Sequence, residues 1–169
     1  MALKFNRGFQ HPIQAISFDL DDTLYYNETV IQNAEQAQFD KICELVPEAH
    51  TQGIEFWKTL KWAVLEAEPE IYHDVTVWRM QVIRQGLGEL GLENAKLESM
   101  AKAVFEAFYD ARSDFTVPEL SFRVLKQLQS RFPLVAVTNG NADIERIGLA
   151  PYFVGYYRAG LYGTKNKSY

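Results

Sequence analysis

Apolar positions along the chain change their rhythm twice. Residues 15–20 (Ala-Ile-Ser-Phe-Asp-Leu) form a short, mostly apolar run that polar residues follow at once, the pattern of a buried strand. Helical spacing then takes over. Val30, Ile31, Ala34, Ala37, Ile42 and Leu45 recur at three- and four-residue steps until Pro47. A second helix is predicted over 54–65, with Ile54, Trp57, Leu60, Lys61, Val64 and Leu65 on one broad face. A third starts at Asp74, a plausible N-cap, and passes Trp78, Val82 and Ile83 to breaks at Gly86 and Gly88. A fourth is predicted over 95–111, with Leu97, Met100, Ala101, Val104 and Phe108 as its stripe.

After this helical block the rhythm changes again. Pro118 opens a helix carrying Leu120, Val124, Leu125 and Leu128, which Pro133 closes. Leu134-Val135-Ala136-Val137-Thr138 reads as a buried strand broken by Asn139-Gly140-Asn141. A helix-like stretch from Asp143 and a third strand near 154–159 follow. This order predicts an α/β fold: a Rossmann-like parallel sheet with a four-helix insertion after its first strand. Residues 1–26 and 113–169 are expected to form the sheet domain, and 27–112 the all-helical one.

Composition narrows the function. With 169 residues, 47% of them hydrophobic, the chain can bury a sizeable core. A net charge of −5 argues against binding the backbone of nucleic acid. The single cysteine, Cys43, excludes a disulfide framework and a multi-cysteine zinc site, and fits a reducing compartment. The first residues lack the apolar run of a signal peptide, and no stretch approaches 18 uninterrupted apolar residues. A cytoplasmic protein without a membrane partner is expected.

The chemistry concentrates at Asp19-Leu20-Asp21-Asp22-Thr23-Leu24, at the C-terminal end of the first predicted strand, where open α/β sheets bind ligands. Three carboxylates in four positions repel one another unless a cation or partner is present. One reading is a capping cluster, Asp22 or Thr23 holding the next helix, although capping needs only one such side chain. The other is covalent phosphoryl transfer. One carboxylate attacks phosphorus, and a second, two residues on, protonates the leaving oxygen and later deprotonates water. A hard divalent cation, Mg²⁺ above all, would lower the repulsion between carboxylate and phosphoryl oxygens. Thr138, ending the second strand before Asn139-Gly140, has the chemistry and the place to hold phosphoryl oxygens.

Phe18-Asp19-Leu20-Asp21-Asp22-Thr23-Leu24, the helical block after it, and Val135-Ala136-Val137-Thr138-Asn139-Gly140-Asn141 together resemble the haloacid dehalogenase (HAD) superfamily, in its phosphatase branch with a helical cap. The resemblance implies that Asp19 is the nucleophile and Asp21 the general acid/base. It implies Mg²⁺ on Asp19 and Asp21, the latter through its backbone carbonyl, and phosphate on Thr138 with Asn139 beside it. Asp21 speaks against true dehalogenases, which have no alkoxide leaving group to protonate. Residues 66–79, residues 137–142 and Arg158-Ala159-Gly160 are similar to the bacterial phosphatases acting on 5-amino-6-(5-phospho-D-ribitylamino)uracil in riboflavin biosynthesis. On that likeness the helical cap selects the substrate, with Tyr72, His73, Trp78 or Arg79 facing a flat heterocycle or a polyol. The alternative is that Tyr72 and Trp78 pack the cap helices together and His73 lies at the surface.

Two family motifs lie beyond these. A lysine that neutralises nucleophile and phosphate corresponds to Lys167 first and Lys165 second, or both are solvated tail lysines; the proline usual in its context is missing. The family's later acidic pair, which completes the Mg²⁺ site, has no counterpart before Tyr169. The family's strand order, 3-2-1-4-5, then leaves the edge of the first strand uncovered. The expectation is a C-terminally shortened member, weak as an enzyme and marginal as a fold. The alternative is a non-catalytic relative that binds a partner through the exposed edge.

Overall fold

The computed structural model describes residues 12–160. Strands β1 (Ile16–Phe18), β2 (Leu134–Thr138) and β3 (Gly155–Arg158) form one parallel sheet in the order β1-β2-β3. Ile16 pairs with Leu134, and Thr138 pairs with Arg158, so the C-terminal ends of β1 and β2 open side by side. Leu134, Ala136 and Thr138 are buried while Val137 is 49% exposed. Among the described residues one face of the sheet is therefore covered and the other is not. On the covered face Leu20, Leu24, Leu125, Ile147 and Leu149 pack around Leu134 and Ala136.

Four helices stand between β1 and the rest: α1 (Asn27–Leu45), α2 (Gly53–Ala67), α3 (Val75–Glu89) and α4 (Asn94–Arg112). The apolar stripes converge on a second core in which Ile42, Trp57, Leu60, Ile83, Leu87 and Val104 are buried. Asp74 caps α3 as its position predicts, Oδ1 accepting from Thr76 N at 2.9 Å and Val77 N at 3.1 Å. Replacing it with alanine orphans two amides, and urea unfolding of Asp74→Ala is expected to show a loss of about 1 kcal/mol. The chain passes between sheet and helices twice. The two crossings touch: the Tyr25 and Phe115 rings are 4.6 Å apart, and Ser121 Oγ donates to the Leu24 carbonyl at 2.6 Å.

Several expectations need correction. The breaks at Gly86 and Gly88 do not occur, since α3 continues through both to Glu89. The missing side chain of Gly86 lets the Trp57 ring lie directly on the helix backbone, where any Cβ would collide with it. The stretch from Asp143 makes one turn and no helix. Asp143 Oδ1 takes the amides of Glu145 and Arg146, and Gly148, at φ +75°, ends the turn at once. Helix α5 (Glu119–Gln129) forms, but of its predicted apolar face only Leu125 is fully buried, while Leu120 is 62% exposed.

Candidate active site

The loop after β1 is shaped by its apolar residues. Leu20, Leu24 and Tyr25 are buried, and the amides of Thr23 and Leu24 both bond to the Leu20 carbonyl, winding the segment into one tight turn. Asp22 sits at φ 55°, a left-handed conformation that a short polar side chain tolerates. Its Oδ1 accepts from the Asn27 amide at 2.8 Å, at the start of α1. The capping reading thus holds for Asp22 alone. Asp19 is exposed and its Oδ1 accepts only from the neighbouring Leu20 amide, at 2.7 Å. Asp19 Oδ2 has no partner among the described residues.

Asp21 is tied down from two directions. Arg112 Nη2 donates to Oδ1 at 2.7 Å and to Oδ2 at 2.9 Å, and the Tyr25 hydroxyl donates to Oδ1. Arg112 is 1% exposed although it ends α4. Burial first, and then the Asp21 carboxylate, push the Tyr25 phenol well above its ordinary value. Tyr25 therefore remains a donor to Asp21 at every physiological pH. Across from Asp21 runs the loop after β2. A Cβ on Gly140 would lie 2.5 Å from Asp21 Oδ2, so only glycine lets that backbone come so close. Thr138 is buried, and its Oγ1 accepts from the Gly140 amide at 3.0 Å. Its own hydroxyl proton remains available to a ligand.

A cavity of about 170 Å³ extends from this point into the helices, with Asp21, Arg112, Asn139 and Gly140 in its wall. Also in this wall, Arg79 lies over Phe108, its guanidinium carbon 3.8 Å from the ring centre. Arg79 donates to Gln38 Oε1 at 3.1 Å and to Glu35 Oε1 at 3.3 Å. Lys61 Nζ reaches the same Glu35 oxygen at 3.3 Å, and Trp78 Nε1 donates to the Lys61 carbonyl at 3.0 Å. Burial pulls the Arg79 pKa down and Glu35 opposes it; a guanidinium stays charged regardless.

Of the four cap residues singled out in the sequence, Trp78 and Arg79 line this cavity. Tyr72 and His73 do not. Tyr72 is 55% exposed, its ring 6.3 Å from Trp78, and His73 lies at the surface, 3.5 Å from the Glu70 carboxylate. Asn139 lines the cavity near Thr138, whereas Lys165 and Lys167 lie outside the described residues. Sequence reasoning passed over Arg112 and Gln38, yet each carries a signal. Ala101, Val104 and Phe108 step by three and four to Arg112, and Ala34 and Ile42 flank Gln38 at four-residue steps. A charged or amide side chain on an otherwise buried stripe needs a buried partner. No group of three His, Cys, Asp or Glu side chains among the described residues forms a ready metal cluster, and none of the described helices is long and apolar enough to cross a membrane.

The chain is similar to known proteins. The profile of haloacid dehalogenase-like hydrolases matches residues 13–167. Over 151 residues the chain is 43% identical to the 5-amino-6-(5-phospho-D-ribitylamino)uracil phosphatase YigB of Escherichia coli (strain K12), covering 89% of this chain and 63% of that protein. Thus the chain spans less than two thirds of that relative's length. Among solved structures, a 2-haloacid dehalogenase from Pseudomonas syringae pv. Tomato DC3000 superposes with a TM-score of 0.80 at 30% identity, over 87% of this chain and 64% of the other. The magnesium-bound HAD-hydrolase YfnB of Bacillus subtilis shares the fold, with a TM-score of 0.53 at 18% identity over 86% of this chain and 63% of that one. An aspartate pair at the end of β1, a threonine at the end of the neighbouring β2 and a profile match across nearly the whole described chain lead to one conclusion: the chain belongs to the haloacid dehalogenase-like hydrolase family.

Proposed function

We propose that this protein is a Mg²⁺-dependent phosphatase of a small phosphorylated metabolite, working through an aspartyl-phosphate, with 5-amino-6-(5-phospho-D-ribitylamino)uracil as substrate. The observation that carries the reading is an anchored Asp21, two residues after Asp19 at the end of β1, lying against Gly140 in the loop that follows Thr138 on the next strand. Asp19, with an unpartnered Oδ2, attacks phosphorus; a P–O bond forms and the bond to the substrate's alkoxide oxygen breaks. Asp21 in its acid form gives that oxygen a proton. Water then attacks phosphorus, Asp21 takes the water's proton, and inorganic phosphate leaves with Asp19 restored. The Thr138 hydroxyl and the Asn139 amide hold phosphoryl oxygens throughout.

The donor set suits a hard cation. Asp19 Oδ2 and the Asp21 main-chain carbonyl are oxygens of the kind that Mg²⁺ takes in ones and twos while keeping several waters. Bound there, the ion would offset the repulsion between the Asp19 carboxylate and the phosphoryl oxygens. The helices over 27–112 serve as a cap that selects the substrate, and the resemblance gives Lys167, or Lys165, the task of neutralising the phosphate.

Structural likeness to a 2-haloacid dehalogenase raises a second chemistry, displacement of halide. Asp21 tells against it, because halide is a stable leaving group that needs no proton, and a positioned acid would be idle. The deciding experiment follows p-nitrophenol release from p-nitrophenyl phosphate with Mg²⁺ and with EDTA, alongside halide release from 2-chloropropionate. Mg²⁺-dependent ester hydrolysis is expected, with no halide released. Hydrolysis indifferent to EDTA, or halide release alone, would sink the proposal.

A further inference from the structure

We propose that Glu35, which accepts from Lys61 and from Arg79, with Gln38 on the same arginine, reads the imide edge of a pyrimidinedione ring on the substrate. The inference rests on the phosphatase reading for the phosphate end of the molecule and assigns the opposite end. Its first support is the wiring of the cluster. Glu35 Oε1 accepts from both Lys61 and Arg79, which leaves Oε2 without a partner among the described residues. Gln38 is buried; Arg79 occupies its amide oxygen, and its amide NH₂ makes no bond among the described residues. Arg79 uses two of its five N–H groups. The cavity wall therefore holds one open acceptor, Glu35 Oε2, together with open donors on Gln38 and Arg79. A pyrimidine-2,4-dione presents the complement along one edge: carbonyl, N–H, carbonyl.

Charge at the acceptor itself favours a neutral donor. Lys61 and Arg79 outweigh Glu35 by one charge across the cluster, but a group seated on the unpartnered Glu35 oxygen must bring a proton to it, as an imide N–H does and a phosphate or carboxylate oxygen does not. Flat aromatic walls suit a ring as well. Trp57 and Trp78 both line the cavity, and Trp57 Nε1 is a buried donor with no partner among the described residues.

Length gives a third, independent argument. Asn27, Ile31, Glu35 and Gln38 form one stripe of α1 along the cavity, and Asn27 is held by Asp22, next to Asp21. At about 1.5 Å of rise per residue, Glu35 stands about 12 Å up the helix from Asn27. A phosphate ester on a five-carbon chain ending in an amine spans eight bonds from phosphorus to the ring, roughly 9 Å at the extension of a stretched backbone. The imide edge lies across the ring from the attachment point, and its hydrogen-bond partner roughly 3 Å beyond that. Such a molecule at full stretch reaches beyond the spacing that α1 provides and spans it with its chain partly folded, whereas a bare sugar phosphate falls short of it.

The test is equilibrium binding, by calorimetry on the full chain, of 5-amino-6-(D-ribitylamino)uracil without its phosphate and of the same compound methylated on the imide nitrogen. The chain is expected to bind the parent ring and to bind the methylated ring at least about 20-fold more weakly, because a site built on a hydrogen bond rejects the analogue that lacks it. Glu35→Gln should lose a similar factor for the parent and tell the two rings apart by less than about threefold. Failure of the chain to bind the parent ring, equal binding of both rings, or unaltered parent binding by Glu35→Gln would each overturn the proposal. Should Glu35→Gln melt early or lose its helical circular dichroism, the two-ring comparison on the unaltered chain decides alone. Turnover of p-nitrophenyl phosphate, which has no such ring, reports separately on the phosphatase reading. Ring binding without ester hydrolysis would defeat that reading and leave the Glu35 assignment standing; hydrolysis without ring binding would do the reverse.

Discussion

Asp19→Asn is expected to lower phosphate-ester turnover by on the order of 10⁴-fold or more, the scale at which hydrolases lose activity when a covalent nucleophile is removed. An amide oxygen does not attack phosphorus, and no neighbouring carboxylate is placed to substitute: Asp22 is committed to the Asn27 amide and Asp21 to Arg112 and Tyr25. Stability should scarcely move. Asp19 is exposed, and its one hydrogen bond, from the Leu20 amide, passes unchanged to the asparagine oxygen. Turnover of p-nitrophenyl phosphate and the urea midpoint, measured together, separate the two effects. A variant keeping a tenth of the activity would rule out Asp19 as nucleophile.

The largest stability effect is expected at Arg112. With side-chain exposures of 2% for Arg112 and 18% for Asp21, their ion pair is shielded from water on nearly every side. Arg112→Met keeps most of the volume and removes the charge, leaving the Asp21 carboxylate with only the Tyr25 hydroxyl. Breaking a pair this buried should cost about 3 kcal/mol, visible as a lower denaturant midpoint. Asp21→Asn added to Arg112→Met should recover part of that loss, since no uncompensated charge remains. Equal midpoints for the single variant and the unaltered chain would show the pair to be energetically idle.

How much of this was legible in the sequence differs from element to element. Strand β2 runs over the five residues of the apolar run, as predicted, but the run suggests burial on both faces, whereas Val137 is half exposed on the face that no described residue covers. Asp74 was readable as a cap because capping is a local act, completed within three residues. The path of α3 through Gly86 was not, since the compensation for a glycine inside a helix comes from Trp57, on another element. The aspartate motif marked the site, but its anchor, Arg112, is 91 residues away, and no local pattern reports such a distance. The same holds in the cap. Trp78 and Arg79 face the cavity, Tyr72 and His73 turn outward, and the difference lies in how the turn before α3 packs. No residue type announces it.

The paired crossings between sheet and helices have a mechanical consequence. Two chain segments in contact, Tyr25 against Phe115 and Ser121 against Leu24, would serve as a door hinge for any turning of the helical block: a rotation about them keeps both contacts, and twisting or sliding breaks them. Every point of the helical block then moves in proportion to its lever arm. Arg112 sits at the pivot, so its grip on Asp21 survives a swing that carries Asp74, at the far end, off the Gly160 backbone it now abuts. The cavity can thus gape at its rim while the groups proposed for phosphate chemistry stay in register.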